Sequence, residues 1–196
     1  MRILGSIAYD KVTNELGFHV GLGGSGVYCA LAATRYVEGV SLVSVVGEDF
    51  CKSDWEMLKS HGVDMSDVLA MPGKTFRWEG LYHSFDKRDS LSTELGVIQT
   101  PLNPKLLETD ILVLGNYDPE IQLQVAARTK ALCTIVDTMD LWINTKRDAV
   151  AEVFRKADVV MINEEEFYNF YPSGNTQEFC SEFKTILVVK LGALVS

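Results

Sequence analysis

The 196 residues carry 27 acidic against 18 basic side chains, a formal net charge of −9, with 47% hydrophobic and 23% charged residues. That is the balance of an ordinary globular chain, long enough to bury roughly 70% of its unfolded surface in a single domain without a disulfide or metal staple. The acidic surplus, with no cluster of lysine and arginine, argues against nucleic acid as a partner.

Cysteine and histidine usage narrows the chemistry further. Cys29, Cys51, Cys133 and Cys180 lie far apart, which excludes a CxxC redox motif and a cysteine-rich zinc site. His19, His61 and His83 are not paired at metal-ligand spacing. The longest apolar runs, such as Ile186-Leu187-Val188-Val189, are too short to span a bilayer. The N-terminus, one arginine and a brief apolar stretch before Asp10, does not read as a signal peptide. A reducing cytoplasm and no membrane partner are the expectations.

In chain order, residues 3–9 read as a first strand and a helix opens at Gly24-Ser25-Gly26, with Val27, Ala30, Leu31 and Thr34 on one face. Residues 41–46 read as the next strand and residues 53–60 as a helix. Residues 75–83 alternate with period two, as do 93–97, with a turn-rich stretch at 86–90 between them. This is a hairpin, either an antiparallel edge on the main sheet or a small lid over a cleft. Continuous apolar runs at 111–114, 134–136, 159–162 and 185–189 have the composition of strands buried on both faces. Helices are expected between them at about 119–130, 144–157 and 176–183. Strand alternating with helix predicts an α/β fold with a mostly parallel sheet.

Ligands of such sheets bind beyond the carboxyl ends of the strands. The expected strands deliver Asp10, Glu48-Asp49, Asn116, Asp137, Asn163 with Glu164 to Glu166, and Lys190 to that rim. Each residue alone is better explained as a loop or helix cap; together they favour a polar ligand. Gly21-Leu22-Gly23-Gly24-Ser25-Gly26 satisfies G-x-G-x-x-G, with Glu48-Asp49 about twenty residues on, so a dinucleotide-binding oxidoreductase is one alternative. The segment does not directly follow the better strand, residues 3–9. The glycines do allow a ligand to approach backbone N–H groups at a helix start. No Walker lysine motif, G-x-S-x-G elbow or H-E-x-x-H is present.

Taken together, Gly23-Gly24-Ser25-Gly26-Val27-Tyr28-Cys29-Ala30, Val46-Gly47-Glu48-Asp49-Phe50, Gly62-Val63-Asp64, Leu114-Gly115-Asn116, residues 137–143 and the N-x-x-E segment Asn163-Glu164-Glu165-Glu166 resemble the PfkB, or ribokinase-like, family of sugar and nucleoside kinases from end to end of the chain. The resemblance implies a three-layer α/β/α domain over residues 1–196 with a β-lid from about 75–99, joined by 12–22. It implies that Asp10 and the backbone of Gly23 and Gly24 bind substrate hydroxyls, with Tyr28, Asn116 and Asp137 around the cleft. Asn163 and Glu166 would organise Mg²⁺ through water beside ATP, and Lys190 and Gly192 would begin the nucleotide-binding half. Tyr28 stands where the family often has Asn. The family's G-A-G-D-type turn carries the proton-abstracting aspartate and the anion hole. Here no glycine is followed by aspartate. The chain therefore reads as a kinase homologue cut before its catalytic end, inactive alone. Its strand 185–189 would be left as an open apolar edge prone to self-association, as the lid also would be. A non-catalytic binding module on the same scaffold is the remaining alternative.

Overall fold

The computed structural model describes residues 1–83 and 88–192. Its elements run β1 (Arg2–Leu4), β2 (Ala8–Asn14), β3 (Gly17–Gly23), α1 (Ser25–Ala33), β4 (Val40–Gly47), α2 (Lys52–Ser60), β5 (Val63–Met71), β6 (Phe76–Tyr82), β7 (Arg88–Glu94), a 3-10 turn (Gly96–Gln99), β8 (Leu107–Leu114), α3 (Pro119–Ala127), β9 (Thr129–Asp137), α4 (Asp140–Thr145), α5 (Arg147–Phe154), β10 (Val159–Asn163), α6 (Glu164–Phe170), α7 (Thr176–Phe183) and β11 (Ile186–Lys190).

Seven strands form one sheet in the order β11-β10-β9-β8-β1-β4-β5, every pairing parallel. Successive residues of a strand point to opposite faces, and the core divides accordingly. Ile3 and Leu42 join Val27 and Ala30 of α1 and Leu58 of α2 on one face. Leu4, Val43 and Leu114 join Ile121 of α3, Phe154 of α5 and Phe179 of α7 on the other. This is the expected three-layer α/β/α arrangement. The second face is held by an aromatic cluster in which Phe154 meets Phe170 edge-on at 4.9 Å between ring centroids and Phe179 meets Phe183 at 4.7 Å. Each such fully buried side chain contributes roughly 1.5–3 kcal/mol by leaving water.

Four strands form a separate sheet, β3-β2-β6-β7, here termed the lid sheet, so the hairpin at 75–97 is not an edge of the main sheet. Residues 12–22 join it through β2 and β3. Its β6–β7 register slips between Glu79 and Gly80. Of the stretch expected as a turn at 86–90, Arg88 to Ser90 are already strand, and 86 and 87 lie outside the described residues.

Several expected elements need correction. The single strand at 3–9 is two: β1 ends at Leu4 in the main sheet, and the chain crosses at Gly5-Ser6-Ile7 to enter the lid as β2. Gly5 permits the crossing, because a Cβ there would lie 2.5 Å from the Gly26 backbone of α1. Asp10 is consequently a lid residue and not the end of a main-sheet strand. The helix expected to reach residue 130 stops at Ala127, and Thr129 already pairs with Leu107 as sheet. The helix expected at 144–157 is broken at Lys146, whose backbone is not helical (φ −139°, ψ 41°) and whose ammonium is tied to Asp118 at 2.8 Å and to Glu120 at 2.5 Å.

Candidate functional site

Parallel register carries the polar residues to one edge. Asn163 stands beside Lys190, and Asp137 beside Met161, across β9, β10 and β11. Asn116 follows β8 by two residues, after Gly115, whose N–H donates to the Leu4 carbonyl at 2.8 Å. Asp137, Asn163 and Lys190 therefore lie on adjacent strand ends, and Asn116 lies just past the end of β8.

Within that row, the Lys190 ammonium donates to Asp137 Oδ1 at 3.1 Å. Burial nevertheless raises the Asp137 carboxyl above its ordinary range, with Lys190 and the Thr138 N–H pulling the other way. Glu166 is also raised, first by burial and then by the neighbouring Asp137 and Asp140, against the Asn163 N–H and Lys190. Cys29 of α1 is raised by burial and feels both Asp137 and Lys190, which places α1 at the same edge. The Thr138 hydroxyl is buried there without a hydrogen-bond partner among the described residues.

Asn163 and Glu166 have a local task as well. Asn163 Oδ1 accepts from the Glu166 N–H at 2.8 Å, and Glu166 Oε2 accepts from the Asn163 N–H at 2.9 Å. This reciprocal capping box opens α6, so N-x-x-E is a helix start whatever else it does. No group of three or more His, Cys, Asp or Glu side chains able to hold a metal ion directly occurs among the described residues. The cap uses Glu166 Oε2 and leaves the other carboxylate oxygen over.

The lid supplies the other wall. Asp10 of β2 sits opposite Gly21 of β3 and Trp78 of β6. Burial raises its carboxyl, opposed by a hydrogen bond from the Gly24 N–H. A Cβ on Gly23 would lie 2.0 Å from Asp10 Oδ2, so the glycine makes room for this carboxylate. Gly24 has φ +96°, and a Cβ there would lie 2.3 Å from the Ser6 carbonyl oxygen. Tyr28, well exposed on α1, has its phenol raised by burial and by the nearby Asp10 and Tyr82, so it stands between α1 and the lid. The start of α1 is less open to an anion than the glycines suggest. Ser6 Oγ accepts from the Ser25 N–H at 3.0 Å, and the Ser6 carbonyl accepts from the Gly26 N–H at 3.0 Å.

The G-x-G-x-x-G match does not hold as a dinucleotide turn, because Gly21 to Gly23 close lid strand β3 and do not follow central strand β1. Glu48-Asp49 is not poised for a ribose either. Asp49 accepts from the Thr75 N–H at 2.7 Å and the Arg77 guanidinium at 2.6 Å, bolting the foot of the lid to the end of β4. Burial opposes its ionisation, but Thr75 and Arg77 prevail and hold the carboxyl down at about 2. Lys190 lies at the rim, and Gly192 follows just beyond with φ +64°.

Sequence reasoning did not single out Trp142, Met139 or Ser25. Ser25 Oγ donates to the Asn116 carbonyl at 3.1 Å, joining α1 to the rim. Trp142 Nε1–H donates to Asn116 Oδ1 at 3.0 Å, and Asn116 Nδ2 donates to Met139 Sδ at 2.9 Å. Asn116, Tyr117, Phe76, Ile98, Met139 and Trp142 line a narrow recess of about 10 Å³, room for about one water molecule, in which lid strand β6 faces the strand ends. No helix among the described residues is long and apolar enough to cross a membrane.

No family model matches the chain. A curated cytidine kinase from Thermococcus kodakarensis is 28% identical over 172 residues, which cover 84% of this chain and 61% of that protein. The chain thus spans under two thirds of that relative's length. Among solved structures, a nucleoside kinase from Methanocaldococcus jannaschii, described as an archaeal member of the ribokinase family, superposes with a TM-score of 0.78 at 18% identity, over 98% of this chain and 71% of that one. A Burkholderia thailandensis nucleoside kinase in complex with ADP-inosine gives 0.80 at 13% identity, over 97% and 69%. A Cryptococcus neoformans ribokinase in complex with ADP gives 0.74 at 16%, over 98% and 72%. The fold is ribokinase-like, and the resemblance to the PfkB, ribokinase-like family holds in sequence similarity as well as in structure.

Proposed function

We propose that this chain carries the acceptor-substrate and lid portion of an ATP-dependent kinase for a hydroxyl of a nucleoside or sugar. The supporting observation is the meeting of two walls. The strand ends bring Asn116, Asp137, Asn163 and Lys190 to one edge, while Asp10, Gly23, Gly24 and Tyr28 face it from the lid and α1. Among the two acceptor classes we favour a nucleoside, because the sequence relative is a cytidine kinase and two of the structural relatives are nucleoside kinases.

In this reading the Asp10 carboxylate accepts hydrogen bonds from substrate hydroxyls, and burial strengthens those bonds by excluding water. Gly23 leaves Asp10 its position, and Tyr28 offers a phenolic hydroxyl beside it. Asp137 and the Lys190 ammonium set the charge at the strand ends. Asn163 and Glu166 lie toward the phosphates, where Mg²⁺, reached through water by Glu166, would neutralise phosphate charge when bound; Lys190 and Gly192 lead into the nucleotide side. The proton-abstracting aspartate and glycine anion hole of the family have no counterpart in these 196 residues, since no glycine precedes an aspartate.

Titration calorimetry of the 196-residue protein against cytidine, uridine, adenosine, inosine and ribose tests this. We expect heat with at least one nucleoside, weakened tenfold or more by Asp10→Asn, and no phosphoryl transfer from ATP. Flat traces throughout overturn the binding reading, and turnover overturns the expected inactivity. We also read β11 as a self-association edge: it is the outer strand of the described sheet, with Ile186 65% and Val188 38% exposed. Sedimentation velocity should show concentration-dependent association that Ile186→Lys reduces; a monomer at all concentrations contradicts it.

A further inference from the structure

Asn116 is held by an unusual pair of neighbours, an indole on one side and a thioether on the other. The indole N–H of Trp142 is a donor with no acceptor capacity, so only the carbonyl oxygen of the Asn116 amide can face it at 3.0 Å. The opposite flip would set NH₂ against N–H. The orientation of the amide is thereby decided by chemistry alone. Its NH₂ group then points to Met139 Sδ, a weak acceptor, at 2.9 Å. Two N–H bonds in a recess walled by Phe76, Ile98 and Trp142 are left with one poor partner. Such a group gains most from a stronger acceptor brought in by a ligand.

We infer that Trp142 is a positioning residue that locks Asn116 so the substrate meets a hydrogen-bond donor there. The ligand atom it selects is an acceptor, a ring nitrogen or carbonyl oxygen, reaching the mouth of the narrow recess at the Asn116 amide. This rests on reading the carboxyl-edge cleft as the acceptor-substrate site, and it adds which polarity that site reads. Trp142 itself is 4% exposed and its ring packs in the core, so it acts through Asn116.

The test uses the 196-residue protein and calorimetry with cytidine, uridine, adenosine and inosine, following the nucleoside that binds tightest. Asn116→Ala should weaken it roughly tenfold, the size of one hydrogen bond in a water-poor site. Asn116→Asp keeps an acceptor for the indole but removes the donor, and should weaken binding at least as much. Trp142→Phe, with the fold checked by thermal melting, should weaken it several-fold. In the Asn116→Ala background the same change should have no further effect, because the residue it positions is gone. A merely structural tryptophan would instead give additive losses. Wild-type affinity in Asn116→Asp, or additivity in the double variant, overturns the inference while leaving the substrate site standing. Absence of binding by the unaltered protein removes the site and the inference together.

Discussion

The two ends of the central sheet both bury charge, and they do so in opposite ways. At the amino edge, Arg2 is fully buried on β1. Its guanidinium reaches Asp67 of β5 at 2.7 Å and the Lys105 carbonyl at 2.8 Å. One cation meets one anion, and the pair clamps β5 and the loop before β8 to the sheet. At the carboxyl edge, Asp137 and Glu166 crowd together with Lys190 as the cation between them, and Asp10 comes down from the lid. There burial lifts all three carboxyls above their ordinary range. Both edges leave a buried polar atom without a hydrogen-bond partner among the described residues, Arg2 Nε at one and the Thr138 hydroxyl at the other, so the difference lies in charge. One cation with one anion is explained by the fold, whereas several carboxyls sharing one lysine are what a ligand would complete.

That contrast sets the order of expected effects. Asp67→Ala should be the most damaging, since it leaves the Arg2 guanidinium buried and uncompensated, at a cost of roughly 3–5 kcal/mol in chemical denaturation. Loss of less than about 1 kcal/mol would mean that the amino edge is not the structural clamp described here.

Acid is next. Asp49, held from the ordinary 3.8 down to about 2, contributes stability that is present above pH 4 and lost as pH falls toward 2. The raised carboxyls of Asp10, Asp137 and Glu166 act with the other sign, favouring the folded state as they take up protons. Unfolding free energy should therefore rise on mild acidification from neutral pH and fall again below pH 4. Asp49→Asn should remove much of that fall; an unchanged acid limb would break the link between Asp49 and the lid.

The smallest effect is expected from Asp137→Asn. Its ion pair with Lys190 is partly exposed and burial already disfavours its charge, so stability should change by no more than roughly 1 kcal/mol. A loss as large as that of Asp67→Ala would erase the distinction between the edges.

Much of this was legible in the sequence, and the misreadings have physical reasons. The parallel strands were visible as continuous apolar runs such as 159–162, where the sheet is covered on both faces. The run 185–189 reads the same way, but β11 leaves Ile186 and Val188 exposed and is not buried on both faces as expected. Residues 3–9 misled for the same reason: Leu4, Ile7 and Ala8 are all buried, so hydrophobicity does not mark where the chain leaves one sheet for another. Edge strand β5 has Val63 and Met65 inward with Asp64 and Ser66 outward, a period-two signal that ends before Val68 and starts in a segment read only as a motif. The break at Lys146 depends on Asp118 and Glu120, 28 and 26 residues away, which no local pattern reports. Among candidate site residues, the gathering of Asn116, Asp137, Asn163 and Lys190 at one edge was legible because parallel strand ends share an edge. Trp142 and Ser25 were not, because their contacts to Asn116 arise only from packing. Asn163 and Glu166 carried a second meaning, the capping box, that the motif alone did not separate from a ligand role.

The most direct measurement is amide chemical-shift mapping by NMR during titration with cytidine. The account predicts perturbations gathered at Asp10, Gly23, Gly24, Asn116 and Asp137, with Arg2, Asp67 and Lys105 unmoved. Shifts centred on the Arg2–Asp67 edge, or scattered over both ends of the sheet, would contradict it.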